Sequence, residues 1–352
     1  MIDKKTYSSH IGRGFKMSRR RKQSLAAVIA ILGILAYLQF RTWRDFDWHV
    51  FSITIKQLRF SNIVAAVALT YFAYFLRALR WKVFLKPVCD VPVRNLVPAQ
   101  FVGFTALALL GRPGELVRPY LIANRQGMTV ASQLGVLAVE RICDLGAFAL
   151  LLCIGIFTAG STLPFPRELH RAATLLAAVV VVMAAVAILI RFNGPRVARW
   201  AEATLSTPGT TSWVNNRIEE FGNGLNTFEN SASFVQICVV SLAMWFAIAL
   251  MYRFVLSAYP NPLLQRMGMA QLLLLMGCGM LGSLVQLPGI GGGSQLATIA
   301  MLASWRWFAV PKELAVSCSI LLWLVGFMAV IPAGLVFARR EHVLIRRMGS
   351  AA

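Results

Sequence analysis

The chain has 352 residues, of which 58% are hydrophobic and only 14% charged, with a mean hydropathy of +0.66 and a formal net charge of +21. A soluble globule of this size carries about a quarter of its residues as charged side chains, so the composition excludes a soluble domain and requires a polytopic membrane protein. Lys and Arg sit mostly at the ends of apolar runs, as in cytoplasmic loops facing anionic headgroups, which argues against a nucleic-acid partner.

Residues 1–24 are strongly basic and read as a cytoplasmic tail, followed by a first span from Leu25 to Phe40. A cleaved leader would need a small-x-small site after the apolar run, and none follows. Arg41 to Phe60, with Trp43, Trp48 and Phe51, suits an interfacial stretch. The next span is Asn62 to Leu85, whose end carries Arg77, Arg80, Trp81, Lys82 and Lys86 and is expected to be a cytoplasmic boundary. From Val97 the chain is apolar for about 14 residues, a helical rise of about 21 Å and too short for a hydrocarbon core of about 30 Å. It then breaks at Gly111-Arg112-Pro113-Gly114 and resumes from Leu116 to Ala123. Helix, break and second helix predict a re-entrant hairpin with its feet, Arg94 and Arg125, on one side.

Ala131 to Gly160 is expected to span, Ser161 to His170 to form an external loop, and Thr174 to Ile190 to return. Residues 200–231 form the longest polar stretch, with Trp213, Ile218, Phe221, Leu225 and Phe228 at helical spacing, which predicts an amphipathic helix on the cytoplasmic face. Ala232 to Ala258 spans outward. Met267 to Leu287 then breaks at Pro288-Gly289-Ile290-Gly291-Gly292-Gly293-Ser294 and resumes from Gln295 to Ala303, a second hairpin. Glu313 to Phe337 is the last span, and residues 339–352 form a basic cytoplasmic tail. The expected fold is all-α, with about six full transmembrane helices and two re-entrant broken hairpins. Residues 25–160 and 161–338 each run span, span, hairpin, span, an inverted repeat with both termini cytoplasmic.

Between Leu110 and Asp144 stand six charges in apolar surroundings: Arg112, Glu115, Arg118, Glu140, Arg141 and Asp144. Unpaired at mid-bilayer they would cost on the order of 15 to 20 kcal/mol, so they must be paired, hydrated or displaced toward an interface. Glu140 and Asp144 share a helix face, and Arg141 lies within reach of Asp144. Inverted-repeat transporters hold substrate where interrupted segments meet, so Arg112, Glu115, Arg118, Glu140, Arg141, Asp144, Pro288, Gly289, Gly291, Gly292 and Gln295 are the candidate binding residues. Close helix packing is the alternative role for small residues, and it covers Gly277, Gly279 and Gly282. A nucleotide loop at the glycine run is excluded by apolar helix on both sides, although a helix starting near Ser294 aims N–H groups into the break. The six cysteines form no CxxC pair, the four histidines lie outside the apolar runs, and HExxH is absent. No metal, cofactor or catalytic residue is therefore expected.

The motifs Gly111-Arg112-Pro113-Gly114-Glu115 with Arg118, Glu140-Arg141-Ile142-Cys143-Asp144, and Leu287-Pro288-Gly289 with clustered glycines resemble the lysylphosphatidylglycerol synthase transmembrane-region family, over roughly Asn62 to Val336. The usual Gly-Gly-x-Gly order appears here as Gly289-Ile290-Gly291-Gly292-Gly293, and Gln295 stands where an acid commonly closes the motif. The resemblance implies a stand-alone member without the aminoacyl-transferring domain. Its function would be movement of a phospholipid or polyprenyl-linked headgroup between leaflets of a bacterial or archaeal inner membrane. Arg112, Arg118 and Arg141 would hold an anionic headgroup while Glu115, Glu140 and Asp144 position them and could accept a proton or a cationic group. Expected partners are membrane lipids, a second copy of the chain and envelope-biosynthesis enzymes. The alternatives are a non-transporting membrane partner of lipid or glycan assembly, and an integral-membrane transferase.

Overall fold

The computed structural model describes residues 47–86, 89–159, 167–182, 231–287 and 291–349, with 33, 37 and 185 singly. The predicted N-terminal tail, the first span apart from residues 33 and 37, the end of the Thr174–Ile190 span and residues 200–230 of the amphipathic segment lie outside them. The chain divides into units 1–48 and 49–352, and the second carries everything below.

Helix α1 (Trp48–Lys56) precedes α2 (Phe60–Leu85), whose 26 residues rise about 39 Å. Pro92, extended at ψ 140°, starts α3 (Val93–Leu110). This helix has 18 residues rather than the expected 14 or so, because it begins before the apolar run; its length would suffice to cross a membrane. Gly111 stops it at φ +71°, in a region that L side chains resist, and a 3-10 turn (Arg112–Leu116) leads into α4 (Val117–Gln126). The break is therefore one left-handed glycine followed by tight helix. Helix α5 (Val130–Ala159) follows, and α6 covers 167–182, so the helix begins inside the predicted external loop. Helix α7 (Ser231–Ser257), short α8 (Pro262–Gln265) and α9 (Met269–Gly282) come next.

At the second break, β1 (Gln286–Leu287) pairs antiparallel with β2 (Gly291–Gly292), Gln286 opposite Gly292 and Leu287 opposite Gly291. The glycine run is thus closed by a two-residue ladder, and Pro288 and Gly289 lie outside the described residues. Helix α10 (Gly293–Ala303) leads to α11 (Lys312–Trp323), a π-turn (Leu324–Met328) and α12 (Ile331–Gly349). The last span is consequently two helices joined at a π-turn, where the Tyr71 and Tyr74 hydroxyls donate to the carbonyls of Ala329 and Gly326.

Five helical stretches among the described residues are long and apolar enough to cross a membrane. Large side chains such as Phe60, Phe72, Phe75, Ile154, Phe157 and Val239 remain exposed on them. The protein is an all-α, multi-pass membrane protein whose outer faces meet lipid.

The register of contacts orients both hairpins. Arg125 at the end of α4 donates to the carbonyl of Asn95 near the start of α3, at 2.9 Å. Cys278 of α9 meets the carbonyl of Ala297 in α10. Both are antiparallel hairpins. Helix α5 starts beside the feet of the first, then reaches the start of α9, where Gly155 packs on Ala270 and Leu273. Since α5 rises about 45 Å, the two hairpins open at opposite ends of the molecule. One buried core, with Trp81, Phe84, Leu96 and Ile122, fills the end of the first hairpin's feet; another, with Leu256, Tyr259, Leu272 and Val310, fills the opposite end. Their tips meet between.

Candidate functional site

Glu140 is fully buried at the centre of the charged cluster. Arg118 approaches both of its oxygens, Arg80 Nη2 donates to Oε1 at 2.9 Å, and the Trp81 indole N–H donates to Oε2 at 3.0 Å. One turn on, Asp144 lies 3.4 Å from Arg77, 3.4 Å from Arg141 and 2.8 Å from Arg80. The Arg80 contact to Oδ1 is off the hydrogen-bonding direction and acts as a Coulombic contact. Arg118 also donates to Gln100 at 2.9 Å and lies over the rings of Trp81 and Phe104. Arg80 donates to Ser241 of α7 at 3.0 Å. Every member is held by at least two others, which is how buried charges become tolerable at membrane depth.

The fold reassigns several residues. Arg77 and Arg80 are not a cytoplasmic boundary: they are buried and supply the counter-charges of Glu140 and Asp144. Lys82 is half-buried and Lys86 exposed, beside the buried Val83, Phe84 and Leu85 that close α2. Arg77 stands eight residues before Leu85, about 12 Å inside the helix end, too deep for a loop. That depth, with Arg77, Arg80 and Trp81 at i, i+3 and i+4 on one stripe, was the available signal. Arg118 pairs with Glu140 as expected, whereas Arg112 pairs with neither Glu140 nor Asp144 among the contacts of this cluster. It lies 4.0 Å from Glu115 and donates to the carbonyl and hydroxyl of Ser283 at 2.9 and 3.3 Å. Glu115 also reaches Arg141 at 3.4 Å. Five guanidinium groups therefore face three carboxylates, replacing the three-to-three balance of the sequence with two positive charges in excess. Arg112 and Arg141, at 43% and 42% side-chain exposure, carry the accessible part of that excess.

The tips themselves are shaped by glycine. A Cβ on Gly114 would run into the Ala106 carbonyl, which is why the 3-10 turn folds back onto α3. A Cβ on Gly282 or Gly293 would strike the other's backbone, so these two glycines set the closeness of α9 and α10. Gly279 packs on Thr298, and Gly277 on Phe148, in keeping with close helix approach. Gly292, at φ +116°, starts α10, and its N–H donates to Gln295 Oε1 at 2.9 Å. Gln295 thus caps a helix from a buried position, and Gly291 serves the ladder.

Beside the tip of the second hairpin lies a cavity of about 150 Å³, bounded by α2, α7, α9, Ser283, Ser294, α11 and the π-turn, with Phe104 of α3 as the first hairpin's contribution. Arg77 lines it, with Thr70, Tyr252, Ser283 and Ser294. Trp245 lines it too, and its buried indole N–H has no acceptor among the described residues. Among those residues there is also no group of three His, Cys, Asp or Glu that could hold a metal.

A family model described as the lysylphosphatidylglycerol synthase TM region matches residues 24–334. No curated protein and no solved structure matches the chain.

Proposed function

Because the chain belongs to the lysylphosphatidylglycerol synthase TM-region family, a membrane domain of lipid-handling proteins, we propose that it is a lipid translocase moving an anionic headgroup between leaflets. The observation that carries this reading is the cavity where two oppositely opening hairpins meet, bordered by a cluster with two surplus positive charges. Re-entrant hairpins would bring glycine-bounded backbone and hydrogen-bonding side chains to mid-membrane, where a headgroup needs substitutes for water. At about 150 Å³ the cavity is below the roughly 300 Å³ of ordinary ligand sites, so passage requires the tips to part and the Arg112–Ser283 bond to open. Arg118, Glu140 and Asp144 then act as scaffold, while Arg77, Arg112 and Arg141 meet the headgroup. The chain performs no covalent chemistry in this reading, and its partners are anionic lipids, further copies of itself and envelope-biosynthesis enzymes.

The test is headgroup exposure in vesicles. A fluorescent phosphatidylglycerol should reach an external quencher faster with the protein than without it, and Ser294→Leu, which fills the cavity wall, should return the rate to that of empty vesicles. Equal rates with and without protein would favour the second reading, a non-transporting partner, which the burial of Glu140 and Arg118 supports. The proposed inner-membrane orientation, with both termini cytoplasmic, is checked by cysteine labelling. Asn124→Cys should react from the cytoplasmic side and Asn261→Cys from outside; labelling of both from one side contradicts it.

A further inference from the structure

An apolar groove of about 760 Å³ lies outside the charged cluster, between α5, α6 and the second hairpin. No charged side chain lines it, and its volume is that of a ligand site rather than a packing defect. Leu145 and Ile156 mark its two ends along α5, about 16 Å apart. Ala172 and Ala300 on its walls are exposed, so it is open to the surroundings of the helices, which at this depth are hydrocarbon.

One end of the groove is cationic. Leu145 lies one turn beyond Arg141, and Leu281 and Leu284 flank Ser283, which takes the guanidinium of Arg112. Glu115 sits between the two arginines, at 4.0 and 3.4 Å, so the pair already holds one oxyanion and has exposed donors left for another. Arg141 keeps 42% of its side chain exposed, and Arg112 43%, so both guanidinium groups can reach such a guest. Each carboxylate of the cluster already contacts an arginine, so a cationic headgroup would find none free.

We propose that the groove seats one hydrocarbon chain of an anionic phospholipid whose phosphate is held at the Arg112–Arg141 mouth, the headgroup carrying no cationic substituent. This rests on the lipid reading above and adds where the tail resides while the headgroup moves. Met280, a flexible side chain on α9, lines both the groove and the central cavity.

The experiment reconstitutes the full chain in phosphatidylglycerol vesicles containing a phosphatidylglycerol with a photoactivatable diazirine acyl chain, and maps the adducts by mass spectrometry. Adducts are expected on the groove walls. Arg112→Gln and Arg141→Gln should each lower them roughly tenfold, the loss of one charge-assisted contact. Ala300→Trp should abolish them, with Ala172→Trp as a second filler from the opposite wall, while Phe72→Trp on the lipid face of α2 leaves them unchanged. The same chain on a phosphocholine or lysyl-ester headgroup should label weakly. Adducts spread evenly over the outer faces, or insensitive to both arginines and both tryptophans, overturn the proposal. Groove adducts that need Arg112 in a protein that moves no lipid would remove translocation and keep the site; translocation without groove adducts would do the reverse.

Discussion

The two hairpins are built on one plan and stabilised by opposite means. The first carries Arg112, Glu115 and Arg118 and is fastened to α5 by guanidinium–carboxylate pairs and to α2 by guanidinium groups over aromatic rings. The second carries no charge on α9, β1, β2 or α10, and is fastened by glycine backbones in contact and by Gln271 and Gln295 accepting the N–H groups of Gly268 and Gly292. Charge holds by long, directional contacts that can be exchanged for a ligand's; glycine contact holds by the absence of side chains. The first hairpin is thus suited to recognise and the second to wall the path, with Arg112 on Ser283 as the bond between them.

The largest expected effect comes from removing the centre of the charged side. Glu140→Gln leaves Arg118 buried without its counter-charge and takes one of two carboxylates from Arg80, a loss of about 3 to 5 kcal/mol. Adding Arg118→Gln should recover part of it, since the worst-placed excess charge is then gone. Thermal unfolding in detergent measures both, and a single variant as stable as the parent would mean that the cluster is hydrated surface.

The glycine side is broken next. Gly293→Val adds a branched side chain against the Gly282 carbonyl and parts α9 from α10, at about 1 to 3 kcal/mol for overpacking. Unlike the first change, it should lower translocation even in protein recovered folded. Unaltered melting and transport would show that the close approach carries no function.

Much of this contrast was legible in the sequence. The spans at Asn62–Leu85, Ala131–Gly160, Ala232–Ala258 and Glu313–Phe337, both breaks, the feet of the first hairpin at Arg94 and Arg125 and the i, i+3 pairing of Arg141 with Asp144 followed from hydropathy, helical spacing and glycine–proline punctuation. What failed was the assignment of Arg77 and Arg80. The positive-inside rule reads any arginine near a span end as a loop residue, and counter-charges sixty residues away cannot be seen in a local window. The Arg112–Ser283 bond was hidden for the same reason, its two residues lying 171 apart. The ladder at Leu287 and Gly291 was hidden because two residues carry no alternation to detect.

The smallest expected effect sharpens the comparison. Gln295→Glu places a charge in the uncharged hairpin and keeps an oxygen for the Gly292 N–H, at a helix start where the dipole favours negative charge. At this buried position the helix start returns about 1 kcal/mol of the desolvation cost of the new charge, so stability falls, while preference shifts from anionic toward zwitterionic headgroups. Initial rates for both lipids with each protein decide it, and an unchanged ratio would place this hairpin outside recognition.

The central claim is that headgroups pass between the tips. In a background without native cysteines, Arg112→Cys and Ser283→Cys joined by a short, reductant-cleavable thiol crosslinker should hold the tips together in vesicles. Translocation of phosphatidylglycerol is then expected to fall to the protein-free rate and to return, on reduction, to that of the uncrosslinked double variant. A bridged protein that moves lipid as fast as its reduced form would contradict the account.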